Sequence, residues 1–256
     1  MTTPTIEQIH KHASVRSYKP DPVPRETIEA TVAAGQRAST SSNMQFTTAV
    51  AVTGEARRQR LAELCGNQEH IRQAPVFIAW CVDRARLDHA CRMRGYEQVT
   101  DTVESFLVAA MDVAIFMQNA ALAAESLGLG MCYIGAIRNH PRQVMELLGL
   151  PRLTFPVSGM TLGWPATPYK TRPRLPLETV LHWERYGDPD ETDHLAAYDK
   201  AMAATGIYGG RQIPASGKPE EMEAYGWTEH SARRVSQRVR ADLREILAEQ
   251  GFSLAE

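Results

Sequence analysis

The chain has 256 residues, enough for one large domain or two small ones with a substantial core. Its 28 Lys plus Arg stand against 30 Asp plus Glu, a balance that supports neither nucleic acid nor an anionic membrane as a whole-chain partner. The longest apolar run, Ala74 to Val82, falls well short of the roughly 20 residues of a membrane-spanning helix.

The N-terminal stretch MTTPTIEQIHKHASVRS has no apolar segment of the kind a secretory signal carries, which predicts a cytoplasmic protein. Within it, Thr5-x-x-Gln8 reads as a capping box opening a short helix to about Lys11, with Ile6 and Ile9 on its inner face. Pro24 to Arg37 predicts a second helix: Pro24 suits the first turn, and Ile28, Val32 and Gly35 fall at helical spacing. The polar run Ser39-Thr-Ser-Ser-Asn43 is too rich in side chains that compete for backbone hydrogen bonds to be a helix interior. Thr47 to Thr53 and Pro75 to Val82 read as strands.

The strongest helix signal runs from about Asp101 to Leu127 and stops at Gly128, a residue suited to the position just past a helix end. Val103, Phe106, Leu107, Ala110, Ala114, Met117, Ala121 and Ala124 make one apolar face, and Val108, Met111, Ile115, Phe116 and Leu122 fill much of the rest. Such a helix must be covered on most sides, either as the centre of a large core or in an oligomer interface. Met131 to Ile134 and Phe155 to Trp164 read as further strands. Helices and strands are interspersed without the regular alternation of a doubly wound sheet, so the predicted class is α+β. After Tyr186 the composition shifts, with Gly, Pro and charge concentrated from Gly206 to Glu223. A closing helix, about His230 to Gln250, carries Val235, Val239, Leu243 and Leu247 at four-residue spacing. Opposite them lie Arg233, Arg234, Arg238, Arg240 and Arg244, diluted by Asp242, Glu245 and Glu249, as on a solvated face rather than a nucleic-acid surface. Cys65, Cys81, Cys91 and Cys132 lie far apart, with no C-x-x-C pair and no histidine spaced for zinc, which predicts reduced, structural thiols.

Three clusters carry the chemistry. In His12-Ala-Ser14-Val-Arg16, extended backbone would put an imidazole, a hydroxyl and a guanidinium on one side, a donor set suited to a phosphate. In Arg172-Pro173-Arg174 the proline extends the residue before it, so two guanidiniums with no acidic neighbour project to one side. The stretch Glu125 to Arg138 is not a dinucleotide fingerprint, because Tyr133 stands where a glycine is required and a helix precedes the glycines instead of following them. There Gly135 and Ala136 let the backbone approach something flat at a strand end.

These motifs, in order, resemble the nitroreductase superfamily, in the branch that contains the major oxygen-insensitive NADPH nitroreductase and the NADPH-flavin oxidoreductases. They are I-x-x-I-x-x-H-x-S-x-R at Ile6 to Arg16, A-S-T-S-S-x-x-Q at Ala38 to Gln45, and G-N-Q at Gly66 to Gln68. Q-N-A-x-x-A-A-E-S-L-G-L-G follows at Gln118 to Gly130, then Y-I-G at Tyr133 to Gly135, L-G-W-P-A at Leu162 to Ala166 and R-P-R-L-P at Arg172 to Pro176. The resemblance implies an intertwined homodimer with a mainly antiparallel central sheet and one FMN at each of two interface sites. Residues 1–186 would be the FMN-binding core and 187–256 an extension of the same domain. His12, Ser14, Arg16, Arg172 and Arg174 match positions that hold the FMN phosphate and ribityl chain. Gln68, Tyr133 and the backbone of Ile134, Gly135 and Ala136 match positions beside the isoalloxazine ring, and Thr40 and Ser41 match positions supplied by the partner subunit. Asn43 and Met44 would lie near that flavin edge. The implied activity is two-electron reduction of nitroaromatics, quinones or free flavins by NADPH or NADH. An alternative is a flavin or chromate reductase, or a flavin-binding protein without nitroreductase activity.

The chain departs from the branch at three places. Ala13 stands where the branch usually has arginine, removing one positive charge near the phosphate, and Ala136 replaces the second glycine at the strand end. Gly209 falls where the resemblance puts the arginine that grips the nucleotide 2′-phosphate, and nearby Arg211 is the candidate to replace it. Trp227-Thr-Glu229 restores the register.

Overall fold

The computed structural model describes residues 1–215, 218–222 and 225–255. In chain order its elements begin with α1 (Pro4–His10), α2 (Arg25–Gly35), β1 (Thr47–Val52), α3 (Glu55–Leu64), α4 (Glu69–Gln73), β2 (Val76–Asp83), α5 (Ala85–Arg94) and α6 (Val103–Ser126). They continue with β3 (Gly130–Ile134), α7 (Pro141–Leu148), β4 (Thr154–Gly163), α8 (Glu191–Ala203), β5 (Pro214–Ala215), β6 (Lys218–Met222), α9 (Trp227–Val235) and α10 (Leu243–Glu249). Two compact units emerge, one of Met1–Tyr169 with Arg240–Glu256, the other of Lys170–Val239. The compositional shift after Tyr186 therefore falls inside the second unit. Ser216, Gly217 and Glu223, within the Gly- and charge-rich stretch noted above, lie outside the described residues.

The first unit is built on a four-stranded sheet of order β1-β2-β4-β3, antiparallel at every pairing, as α+β predicts. Every residue of β2 is buried, and alternate side chains serve different clusters. Val76, Ile78, Trp80 and Val82 join one cluster with Ile28 of α2, Ala109 and Val113 of α6, and Ile246 of α10. Phe77, Ala79 and Cys81 face the other way, into a cluster with Leu61 of α3, Ile71 of α4 and Val144 of α7. A strand covered on both faces reads as one continuous apolar run, which is why its sequence does not alternate.

Five helices, α3, α4, α5, α7 and α8, stand where the sequence suggested none. The charge-rich segments of α3 (EARRQRLAEL) and α5 (ARLDHACRMR) leave too few apolar residues to show a stripe. At α1 the N-cap is Thr3, whose hydroxyl accepts from the Ile6 N–H at 3.3 Å, two residues before the predicted capping box. Pro4, lacking an N–H, suits the first turn and sets this earlier start. Ile6 and Ile9, expected on an inner face, are exposed in the chain.

α6 is capped by Thr102, which accepts from the Ser105 N–H at 3.1 Å, and ends before Gly128 at φ +84°. Its buried side is only partly the predicted one. Ala121 and Ala124 are buried, and Phe106, Ala110 and Met117 pack on the core as expected. Ser105, Ala109, Asp112, Val113 and Ala120 also face inward, while Val103, Leu107 and Ala114 face outward. Small side chains there let the helix lie close on the sheet and α2, and larger ones are displaced outward. Val103, Leu107, Met111 and Ile115 remain exposed at four-residue spacing. By length and composition α6 would also suit a membrane span, which Ala74 to Val82 as the longest apolar run understated.

The single closing helix expected over His230 to Gln250 is two helices. α9 ends at Val235, the chain passes through Arg240 at φ +53°, and α10 starts at Leu243. A left-handed residue cannot continue an α-helix. Accordingly Val235 and Val239 are exposed, whereas Leu247 is buried. α10 is tied to α7 by Arg142, whose guanidinium donates to Glu245 at 2.9 Å and Glu249 at 2.6 Å.

In the second unit Tyr198 and Met202 of α8 pack with Tyr208, Leu175, Tyr225 and Trp227. The Asp199 carboxylate accepts from the Thr228 N–H at 2.8 Å and so caps the first turn of α9.

Candidate functional site

The segment after α1 runs extended along the free edge of β3. The Val15 N–H donates to the Met131 carbonyl at 2.8 Å, and Ser14 and Met131 form a parallel bridge. A β-carbon at Gly130 would lie 2.7 Å from the Val15 side chain, so only glycine permits this approach. Tyr18 locks the far end: its hydroxyl donates to the Val15 carbonyl at 2.7 Å and lies 2.8 Å from Thr161 Oγ1. Burial raises the Tyr18 phenol above its ordinary range, so it stays a neutral donor. The Leu162 to Ala166 motif clamps the same segment, with Lys19 N–H on the Trp164 carbonyl and Ala166 N–H on that of Ser17.

Period-two alternation follows. Ala13 and Val15 are buried, whereas Ser14 and Arg16 are exposed and His12 is half-buried. Ala13 thus faces away from Ser14, and the residue that departs from the branch is part of the packing under the row. His12 is held by Glu125 at the end of α6, with Nδ1 2.6 Å from Oε1. Arg16 has no carboxylate within ion-pair distance among the described residues. Burial, with the Arg16 charge second, holds His70 below the ordinary imidazole range, and its buried Nε2 finds no partner among the described residues. Neutral donors, a guanidinium free of acid and an orphaned ring nitrogen fit an anion.

β3 finishes with Tyr133 and Ile134, and the chain turns through Gly135 and Ala136 into a short 3-10 turn. The Tyr133 hydroxyl donates to the Met117 carbonyl at 2.8 Å, fixing the ring to α6. Gln68 follows Gly66 and Asn67, both at positive φ, and its Nε2 donates to the Cys65 carbonyl at 2.6 Å. Thr40 and Ser41 lie in the tight turn after α2, where the Ser41 N–H donates to Asp112 Oδ1 at 3.0 Å. Two open grooves, of about 680 and 730 Å³, both border this turn and share Gln36, Thr40, Asn43 and Gln45.

Arg172 and Arg174 belong to the second unit and are exposed. Arg174 Nη1 reaches back to the Arg172 and Pro173 carbonyls at 3.3 Å, and Tyr198 holds the same Pro173 carbonyl at 3.3 Å. Arg211 is also exposed, with Nη1 3.3 Å from His230 Nδ1 and its guanidinium over the Tyr208 ring. Partial burial, then the Arg211 and Arg234 charges, lower the His230 imidazole, leaving a neutral acceptor for Arg211. Asp112, Glu125 and His70 were missed by sequence reasoning. For Asp112 and Glu125 the available signal was a charge inside an apolar helix, which patterning alone treats as a blemish; His70, on the polar α4, gave none.

Two family models cover nearly the whole chain: "Nitroreductase family" matches residues 9–164 and "Nitroreductase family, C-terminal domain" residues 172–255. An FMN reductase [NAD(P)H] of Bacillus subtilis is 38% identical over 252 residues, covering 97% of this chain and 98% of that protein. A CR(VI) reductase of a Pseudomonas species is 35% identical over 247 residues, covering 96% and 98%. The solved structure of the hypothetical oxidoreductase YcnD from Bacillus subtilis superposes with a TM-score of 0.90 at 36% identity, covering all of both chains. With ordered motifs, an antiparallel sheet sandwiched by helices and both family models in agreement, this chain belongs to the nitroreductase family.

Proposed function

We propose that the protein is a homodimeric, FMN-dependent NAD(P)H oxidoreductase that reduces nitroaromatics, quinones or free flavins by two electrons. The observation that carries this reading is the row His12, Ser14, Arg16 on the segment bridged to the β3 edge at Met131, with His12 half-buried on Glu125, Ser14 and Arg16 exposed, and no carboxylate within ion-pair distance of Arg16 among the described residues. Arg16 would take the FMN phosphate in charge-assisted hydrogen bonds, with Ser14 as hydroxyl donor and His12 oriented by Glu125. The R-P-R-L-P motif adds Arg172 and Arg174 as further phosphate ligands. Gln68, Tyr133 and the small residues Gly135 and Ala136 would border the flat ring, and Thr40 and Ser41 would come from the neighbouring subunit. Bound FMN would supply a hydride acceptor and donor, chemistry that no side chain here provides. Support for the dimer comes from the exposed stripe Val103, Leu107, Met111 and Ile115 on α6, which a partner would cover.

The CR(VI) reductase relative favours a second reading in which chromate is an acceptor at the same site. One experiment addresses both. The purified protein should show flavin absorption bands, release FMN on denaturation, and oxidise NADPH or NADH when given a nitroaromatic, a quinone, free flavin or chromate. A colourless protein that takes up no added FMN would refute the proposal, and the order of acceptor efficiencies would choose between the readings.

A further inference from the structure

Of the acidic residues on α6, Glu104 is exposed, while Asp112 and Glu125 turn inward. Glu125 has an evident task in His12. Asp112 is the more unusual, because it lies in the middle of an apolar helix and is only 3% exposed. Its Oδ1 accepts the Ser41 N–H at 3.0 Å, while its buried Oδ2 finds no partner among the described residues. For folding alone, a half-satisfied buried carboxylate is a poor choice.

What it holds is a strained turn. Ser42, Asn43 and Gln45 have φ of +46°, +56° and +54°, a left-handed conformation that side-chain-bearing residues rarely adopt. Such strain persists only where the surroundings over-determine it. One constraint is the helix before the turn. A β-carbon at Gly35 would lie 2.6 Å from the Phe116 ring, so α2 and α6 meet closely one helical turn beyond Asp112. The other is the Asp112 carboxylate on the Ser41 amide.

We propose that Asp112 is a positioning residue, whose carboxylate holds the Thr40–Asn43 turn in the shape that serves the flavin of the neighbouring subunit. The proposal rests on the reading above, in which this turn contributes to the partner's site. Asp112 therefore acts in trans, whereas Arg16 acts on the site of its own subunit.

Subunit mixing separates these effects. Asp112→Ala homodimers should bind FMN at least about tenfold more weakly, and in FMN-free protein the Ser41 amide should exchange with solvent at least about tenfold faster, as loss of a charged hydrogen bond implies. Asp112→Asn, which keeps an acceptor oxygen, should restore the amide protection to within about threefold of the original protein. A doubly tagged heterodimer of Arg16→Ala and Asp112→Ala subunits should bind one FMN with unaltered affinity, because one of its two sites receives both intact parts. A residue that merely stabilised its own subunit would leave no intact site. The proposal is overturned if Ser41 exchange is unchanged in Asp112→Ala, or if that heterodimer lacks a tight site while an Arg16→Ala/Thr40→Glu heterodimer has one. If the Thr40→Glu pairing also lacks one, the trans reading of the turn fails, and Ser41 exchange still judges whether Asp112 holds the turn. Should Asp112→Ala not dimerise, Asp112→Glu replaces it, since moving the carboxylate by one methylene should produce the same losses; its failure to do so counts against the proposal.

Discussion

At the scale of single residues, the row on the β3 edge owes its chemistry to alternation. Ala13 and Val15 are buried, and that anchors Ser14 and Arg16 outward. Arg16→Ala and Arg174→Ala should each weaken FMN binding by about 1.5–3 kcal/mol, the usual size of a charged hydrogen bond. Titration of the apoprotein with FMN by flavin fluorescence would measure this, and unchanged affinity in both variants would mean that these arginines do not meet the phosphate. The thiols give a second residue-scale test. Burial pushes Cys65 up to about 12, and burial with the Asp83 charge does the same to Cys81. At pH 8 their thiolate fraction is then on the order of 10⁻⁴. Cys132 is also buried, and the half-exposed Cys91 should be the thiol that reacts with a disulfide reagent in native protein. Cys91→Ser should abolish the fast labelling phase; persistence of that phase would show that a buried thiol opens to solvent.

At the scale of elements, α6 organises the site from three directions. Glu125 at its last turn holds His12, Asp112 at its centre holds Ser41, and the Met117 carbonyl holds Tyr133. Its outer stripe belongs to another scale of structure, since Val103, Leu107, Met111 and Ile115 are exposed. On the proposed dimer, Leu107→Glu with Met111→Glu should therefore leave the fold of one chain intact but shift the protein from dimer to monomer. Analytical ultracentrifugation over a dilution series would show it, and FMN should be lost together with the dimer. A monomer that keeps FMN and full activity would remove the need for a partner's turn. The α9–α10 break carries the opposite lesson. Val235 and Val239 kept helical spacing with Leu243 and Leu247, but spacing says nothing about a left-handed residue at 240.

At the scale of the whole molecule, the predictions concern the order of substrates and the choice of donor. If one flavin serves both half-reactions, as proposed, nucleotide and acceptor should bind in turn and give parallel double-reciprocal plots. Intersecting plots would indicate a ternary complex and a larger site. In the second unit Arg211 is exposed beside a neutral His230, the arrangement expected of a guanidinium available for an anion. Arg211→Ala should raise the KM for NADPH by roughly tenfold or more, the size of one charge-assisted contact, and leave that for NADH nearly unchanged. Equal loss with both nucleotides would assign Arg211 to shaping the loop.

The sequence by itself determined the fold class, the four strands of the main sheet, the long helix to Leu127 and the ordered motifs that identify the family. These are properties of local periodicity and of short residue patterns, and both survive without knowledge of packing. It also placed His12, Ser14 and Arg16 on one side of an extended segment, since alternation follows from strand geometry alone. Which side of α6 is buried was decided only in three dimensions. On a helix apolar nearly all round, pattern cannot choose a face, and the choice went to the small residues that let helix and sheet approach. The charge-rich helices α3 and α5 were invisible because neither shows an apolar stripe: α3 is anchored by Leu61, Ala62 and Leu64, while α5 buries no residue and is closed locally by Gly95 at φ +76°. Asp112 and Glu125 were legible only as charges; their roles required the turn and the imidazole to be brought to them from 71 and 113 residues away, a distance over which local pattern carries no information.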